Sequence, residues 1–233
     1  LERLTKYHDK IIDLFHHRKI EWLFTRSAMS SDSGYYRLLM DLQARIYDLD
    51  DYLEATWNLL PSRLAAYWAE IEQAPIFDKH DAADIKRLLA DIRQYQSQEM
   101  LVRTGGDITL VPIADFYHYK TCDVRLMREL IYLQDPHLHR EFPADLWVYF
   151  DLVTEVEDDL NDQAEDQHTH NVNRYLAAKL MVPADELQSA YRDYVEQTIK
   201  QAYTQIHSLS FAWKDTYSGW LDEARARVLP MIA

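Results

Sequence analysis

Apolar residues recur along most of this chain at intervals of three and four, the spacing that gathers them on one face of an α-helix. Prolines interrupt that pattern, since proline lacks a backbone donor and restricts the residue before it. Reading between the seven of them predicts helices over residues 2–25, 34–60, 62–73, 80–101, 113–134, 143–166, 172–182, 184–209 and 211–228. Asp81, Thr169 and Asp185 are plausible helix starters, and the run from Gly105 to Pro112 lacks helical periodicity and reads as a loop or short extended piece. No internal repeat and no linker rich in Gly or Ser divides the chain. The expected fold class is all-α: one domain over residues 1–233, a bundle of about nine to ten helices around a central cavity.

Two of these helices carry acids beside their apolar stripes. Leu39, Leu42, Ile46, Leu49, Leu53 and Leu60 form the stripe of the second helix, and Asp50 and Glu54 each follow a stripe position by one residue. Leu146, Phe150, Val153, Leu160 and Ala164 form the stripe of the helix predicted over 143–166, with Asp158 and Asp162 at the comparable edge. Asp158, Asp162 and Asp166 fall within about 80° of one another, one turn apart. Like charges at i,i+4 destabilise a helix by a few tenths of a kcal/mol, so such a column calls for free solvation or a cation. A hard divalent metal is the sharper reading and a solvated acidic face the bland one.

Composition narrows the partners. Four glycines in 233 residues and abundant long charged side chains favour helix. A formal net charge of −14 argues against nucleic acid or anionic membrane as the main partner. A single cysteine, Cys122, excludes an internal disulfide and a thiolate zinc cage and fits a reducing compartment. No apolar run approaches a membrane span, and Leu1-Glu2-Arg3 has no signal-peptide pattern, so a soluble cytoplasmic protein is expected.

Asp158-Asp159-Leu160-Asn161-Asp162 resembles the DDxxD second metal motif of trans-prenyltransferases. With Asp162 and Asp166 in its later positions, the stretch is also similar to the nine-residue motif of class I terpene synthases. Lys120-Thr121, 38 residues before Asp158, resembles the lysine-threonine pair of prenyltransferases, and Asp50-Asp51-Tyr52-Leu53-Glu54 resembles the first metal motif as DDxxE, with Asp48 adding a second register. On these residues the chain resembles the class I isoprenoid synthases over roughly residues 40 to 180. It departs from the chain-elongating enzymes where Ala55-Thr56-Trp57-Asn58 replaces their arginine pair, which shifts weight towards a cyclase or lyase.

The resemblance implies a magnesium-dependent enzyme, with three Mg2+ ions and a prenyl diphosphate substrate, and by analogy a homodimer. It implies Asp50, Asp51, Glu54, Asp158, Asp162 and Asp166 as metal ligands, with Asp159 supporting them. Lys120, Arg125 and Arg174 are its candidates for the phosphate oxygens, and Asp123 for the acid linked to Lys120. Ionising an allylic diphosphate builds charge on the leaving group, so metal ions and cationic donors would carry the catalysis. Aromatic faces would then shield a carbocation, with Trp57, Phe116, Tyr119, Phe150, Phe211, Trp213, Tyr217 and Trp220 as material, although core packing is the commoner use of any one of them. Three other readings stay open. His80-Asp81 suggests a helical metal-dependent phosphohydrolase. Glu165 and His168 form one ExxH of the kind found in di-iron bundles, without a second copy. The chain could also be a non-catalytic helical protein that keeps the fold.

Overall fold

The computed structural model describes residues 2–232; Leu1 and Ala233, the ends of the range expected as one domain, lie outside it. The all-α expectation holds. Among the described residues there are thirteen α-helices, three short 3-10 turns and no strand. None of these helices is long and apolar enough to cross a membrane. Thirteen replaces the nine to ten expected because several predicted helices are broken.

The helix predicted over 2–25 is α1 (Glu2–His17) and α2 (Ile20–Phe24). The break lies at Lys19, whose φ of 60° is left-handed. Just before it, the carbonyl of buried Arg18 accepts a 2.5 Å hydrogen bond from the Arg128 guanidinium. α3 (Ser33–Ala55) starts on an Asp32 cap whose side chain accepts from the Tyr35 N–H. It stops five residues short of the predicted end because Thr56 turns extended and Leu60 is held extended before Pro61. Leu60, counted in the stripe, is accordingly exposed, whereas Leu39, Leu42, Ile46, Leu49 and Leu53 are buried. α4 (Pro61–Glu72) follows, then a 3-10 turn over Pro75–Lys79 and α5 (Ala82–Arg103).

The helix predicted over 113–134 is α6 (Ile113–Lys120) and α7 (Cys122–Gln134), split at Thr121, whose hydroxyl donates to the His118 carbonyl at 2.8 Å. A short α8 (Leu138–Glu141) leads to the stretch predicted over 143–166. That stretch is a 3-10 turn (Ala144–Leu146), α9 (Trp147–Asn161) and α10 (Gln163–Asp166), with the break at Asp162. Ala164, the last residue of its expected stripe, is exposed. α11 (Arg174–Lys179), α12 (Ala184–Ser208) and α13 (Lys214–Met231) complete the chain.

The helices pack into two compact units. The first takes the chain up to Gln94 with Cys122–Pro136 and Thr169–Asn171, and the second takes Tyr95–Thr121, His137–His168 and the chain from Val172 onward. In the first, α3 is the central helix, packed by α1, α4, α7 and the 3-10 turn at 75–79. In the second the centre is α9, against which α6, α11, α12 and α13 pack. Being covered on several sides, α9 buries polar residues as well as its apolar stripe: Asp151, Thr154, Glu155, Glu157 and Asp159. Glu157 finds a bidentate partner in Arg227 of α13, with contacts of 2.6 and 3.0 Å.

α5 ends in a glycine-dependent cap. Gly105 has φ 83°, its N–H donates to the Val102 carbonyl, and the Gly106 N–H reaches back to the Leu101 carbonyl at 2.8 Å. An L side chain at Gly105 must hold a left-handed conformation that costs about 1 kcal/mol. Gly105→Ala is therefore expected to lower the unfolding free energy by about that amount, measured by urea denaturation.

Candidate functional site

The acidic stretch sits at the end of α9, and its members part company there. Asp159 has no exposed surface. A buried carboxylate is tolerated only when its oxygens are satisfied, and donors from two flanking segments meet here. From α6 the Tyr117 hydroxyl donates to Oδ2 at 2.8 Å, and the Lys120 ammonium pairs with Oδ1. From the start of α11 the Arg174 N–H donates to Oδ2 at 3.0 Å and the Tyr175 N–H at 3.4 Å. Asn173 completes the junction. Its side-chain amide donates to the Asp159 carbonyl at 2.6 Å and to Asp166 Oδ2 at 2.8 Å, while its Oδ1 caps α11 by accepting from the Leu176 N–H.

Burial alone would draw the Lys120 pKa down. The carboxylates of Asp159 and, at 4.0 Å, Glu155 outweigh it and raise the pKa, so the ammonium stays charged. Burial and the Asp159 charge push the Tyr117 phenol well up, so it remains a neutral donor. Arg174 is also buried. Its guanidinium donates to the carbonyls of Thr109 and Val111 and to the Tyr191 hydroxyl, which braces the loop before α6.

Asp158 is half-buried and Asp162 exposed, and helical hydrogen bonds still run from the Asp162 N–H to the Asp158 carbonyl and from the Asp166 N–H to that of Asp162. The three acids thus keep their one-turn spacing, with Asp166 turned inward onto Asn173. Asp162 holds its proton more tightly than an ordinary carboxylate. Loss of solvent is the first cause and the like charges of Asp158 and Asp166 the next, while Lys120 opposes them. The second unit thus sets an exposed acid, Asp162, and a half-buried one, Asp158, beside a buried third, Asp166, whose Oδ2 is held by Asn173.

The remaining predicted residues belong to the first unit. Asp50 and Glu54 are half-buried, one turn apart on α3. Asp51 is clasped by α1: the Lys6 ammonium and the Tyr7 hydroxyl each lie 2.7 Å from its Oδ2. Burial acts to raise the Asp51 pKa, and these two partners overcome it and lower it. The Tyr7 oxygen also lies 2.9 Å from Asp48 Oδ1, so its one proton is shared between the two carboxylates, and Arg3 pairs with Asp48. Asp123 accepts from Gln43 Nε2 at 2.8 Å and from the Val124 N–H at the start of α7, and Arg125 forms an ion pair with Asp91 at 3.0 Å. Glu54 presents its backbone carbonyl to the His170 N–H at 3.1 Å. Among the described residues no three His, Cys, Asp or Glu side chains are grouped so as to hold a metal ion by themselves. Glu165 and His168, the ExxH pair, are both exposed.

Of the aromatic residues named from the sequence, Phe116, Phe150 and Tyr217 are buried core, and Trp57 is largely exposed. Tyr217 edges onto Phe142, which stacks on Trp147 at 4.4 Å. Tyr117, Asn173 and Tyr191 were missed. Each is an uncharged side chain of a common core or cap type, and only the buried carboxylate beside them gives them a role.

Compared with protein-family models, curated proteins and solved structures, the chain gives no match.

The two kinds of acid predict opposite responses. Asp159→Ala strands the Lys120 ammonium and is expected to destabilise the fold by about 3–5 kcal/mol. Asp162 binds its proton more tightly folded than unfolded, so it detracts from stability once pH rises through its raised pKa. At neutral pH without added metal, Asp162→Asn is expected to raise stability by a few tenths of a kcal/mol. Urea denaturation of both variants checks the pair, and the Asp162→Asn gain should vanish towards pH 3.

Proposed function

We propose that this protein is a magnesium-dependent class I isoprenoid synthase that ionises an allylic prenyl diphosphate, as a terpene synthase or a prenyltransferase. The observation that carries the reading is the half-buried Asp158 and exposed Asp162 one turn apart at the end of α9, where loss of solvent and then the like charges of Asp158 and Asp166 raise the proton affinity of Asp162. Such a pair is relieved by a cation. Magnesium is commonly held by one or two carboxylates together with waters and substrate phosphate oxygens, so a cage of three protein carboxylates is not required. Asp158 and Asp162 would be its ligands here. Once bound, the metal would neutralise charge developing on the departing diphosphate.

The other residues take supporting parts in this reading. Asp159 orients Lys120, whose permanently charged ammonium adds a fixed positive potential beside the acids. Arg174 braces the loop at Thr109–Val111 and is not assigned to phosphate. In the first unit Asp51 serves to clasp α1 and is not assigned to metal.

Incubation with geranyl, farnesyl and geranylgeranyl diphosphates in the presence of Mg2+ is expected to release pyrophosphate, and chelation should stop it. Asp158→Ala and Asp162→Ala should each lower the rate by about 10²-fold or more while the protein stays folded. Absence of turnover with all three substrates would overturn the assignment.

A further inference from the structure

A pocket of about 580 Å3 lies in the first unit, lined by none of the residues given a part in the isoprenoid synthase reading. That volume is within the ~300–1,000 Å3 of small-molecule sites. One face of α5 forms its wall, with Ala82, Ile85 and Leu89 spaced three and four apart and Ala90 next to Leu89. The two alanines leave open the space that longer side chains would fill. Leu89 and Phe77, both buried, give it an apolar floor.

The charges around it cancel: Lys86 and Arg93 stand against Glu72 and Asp78. Arg93 is committed further, since its guanidinium pairs with Glu72 and lies 4.1 Å from the centroid of the Trp68 ring. The formal charges of the lining sum to zero, so it favours neither an anion nor a cation.

One polar side chain of the lining has its hydrogen-bonding state fixed by geometry. The Tyr35 hydroxyl donates its single proton to the Leu130 carbonyl at 2.9 Å. Towards His80 Nε2, 3.1 Å away, it can only accept. Nε2 therefore carries the ring proton. Burial, aided by Lys79 and opposed by Asp84, draws the His80 pKa down and keeps the ring neutral. In a neutral ring protonated at Nε2, Nδ1 is a lone-pair acceptor.

We propose that this pocket binds a small uncharged molecule, apolar over most of its length, that donates one hydrogen bond, as an alcohol does, to Nδ1 of His80. The proposal is independent of the isoprenoid synthase reading. It is tested by NMR of the histidine side chains, with His80→Gln identifying the His80 signals and n-hexanol, hexanoate and hexylammonium as matched probes. The free ring is expected to be the Nε2–H tautomer. Hexanol should shift its signals saturably, with the two charged probes weaker by about tenfold or more. Ala90→Trp, at an exposed position that does not threaten the core, should abolish the hexanol response. A proton on Nδ1, no response to hexanol, charged probes that bind as well as the alcohol, or an unchanged response in Ala90→Trp would each overturn the proposal.

Discussion

A carboxylate with no exposed surface forces its neighbours into place, and Asp159 does so for the second unit. An uncompensated buried charge would cost several kcal/mol, so α9 can be buried at this turn only if donors arrive from elsewhere in the chain. They come from α6, through Tyr117 and Lys120, and from the two backbone N–H groups that open α11. The register of α6 and α11 against α9 follows from one side chain. Asn173 extends the same logic by holding the Asp159 carbonyl and the Asp166 carboxylate with one amide. The accessible acids of that stretch are presented on a framework that the inaccessible one secures.

Apolar periodicity made most of the fold legible. The buried run Leu39, Leu42, Ile46, Leu49 and Leu53 follows it residue by residue, as do Leu146, Phe150, Val153 and Leu160. The helix breaks were not legible at Lys19, Thr121 or Asp162, because none of these residues is a glycine or a proline. At Lys19 the neighbouring carbonyl of Arg18 is engaged from 110 residues away by Arg128, a contact that no local pattern encodes. The acidic stretches were visible as stretches, but their division of labour was not. Asp158, Asp159 and Asp162 look alike in sequence and differ in burial, and burial decides which carboxylate is occupied by the protein itself.

The cations show the same sorting. In a chain with 25 Lys and Arg against 39 Asp and Glu, every cation beside an acidic motif suggests itself as a phosphate ligand. Yet Arg18, Arg128 and Arg174 are buried, and Lys6 and Lys120 sit on carboxylates of their own chain. Arginine suits buried posts because its five donors can serve several carbonyls at once, as Arg174 does for Thr109 and Val111.

The contrast between Asp159 and Asp162 also bears on how this chain can change over time. Asp159 is tied to four donors, so its loss is felt by three helices together. Asp162 carries no comparable obligation to the fold. Under the proposed reading, a descendant relieved of selection for that chemistry would be free to drift at Asp162 while keeping Asp159, Lys120 and Tyr117. An acid surviving at Asp162 would, under the same reading, mark chemistry still in use, whereas Asp159 by itself marks only an intact fold.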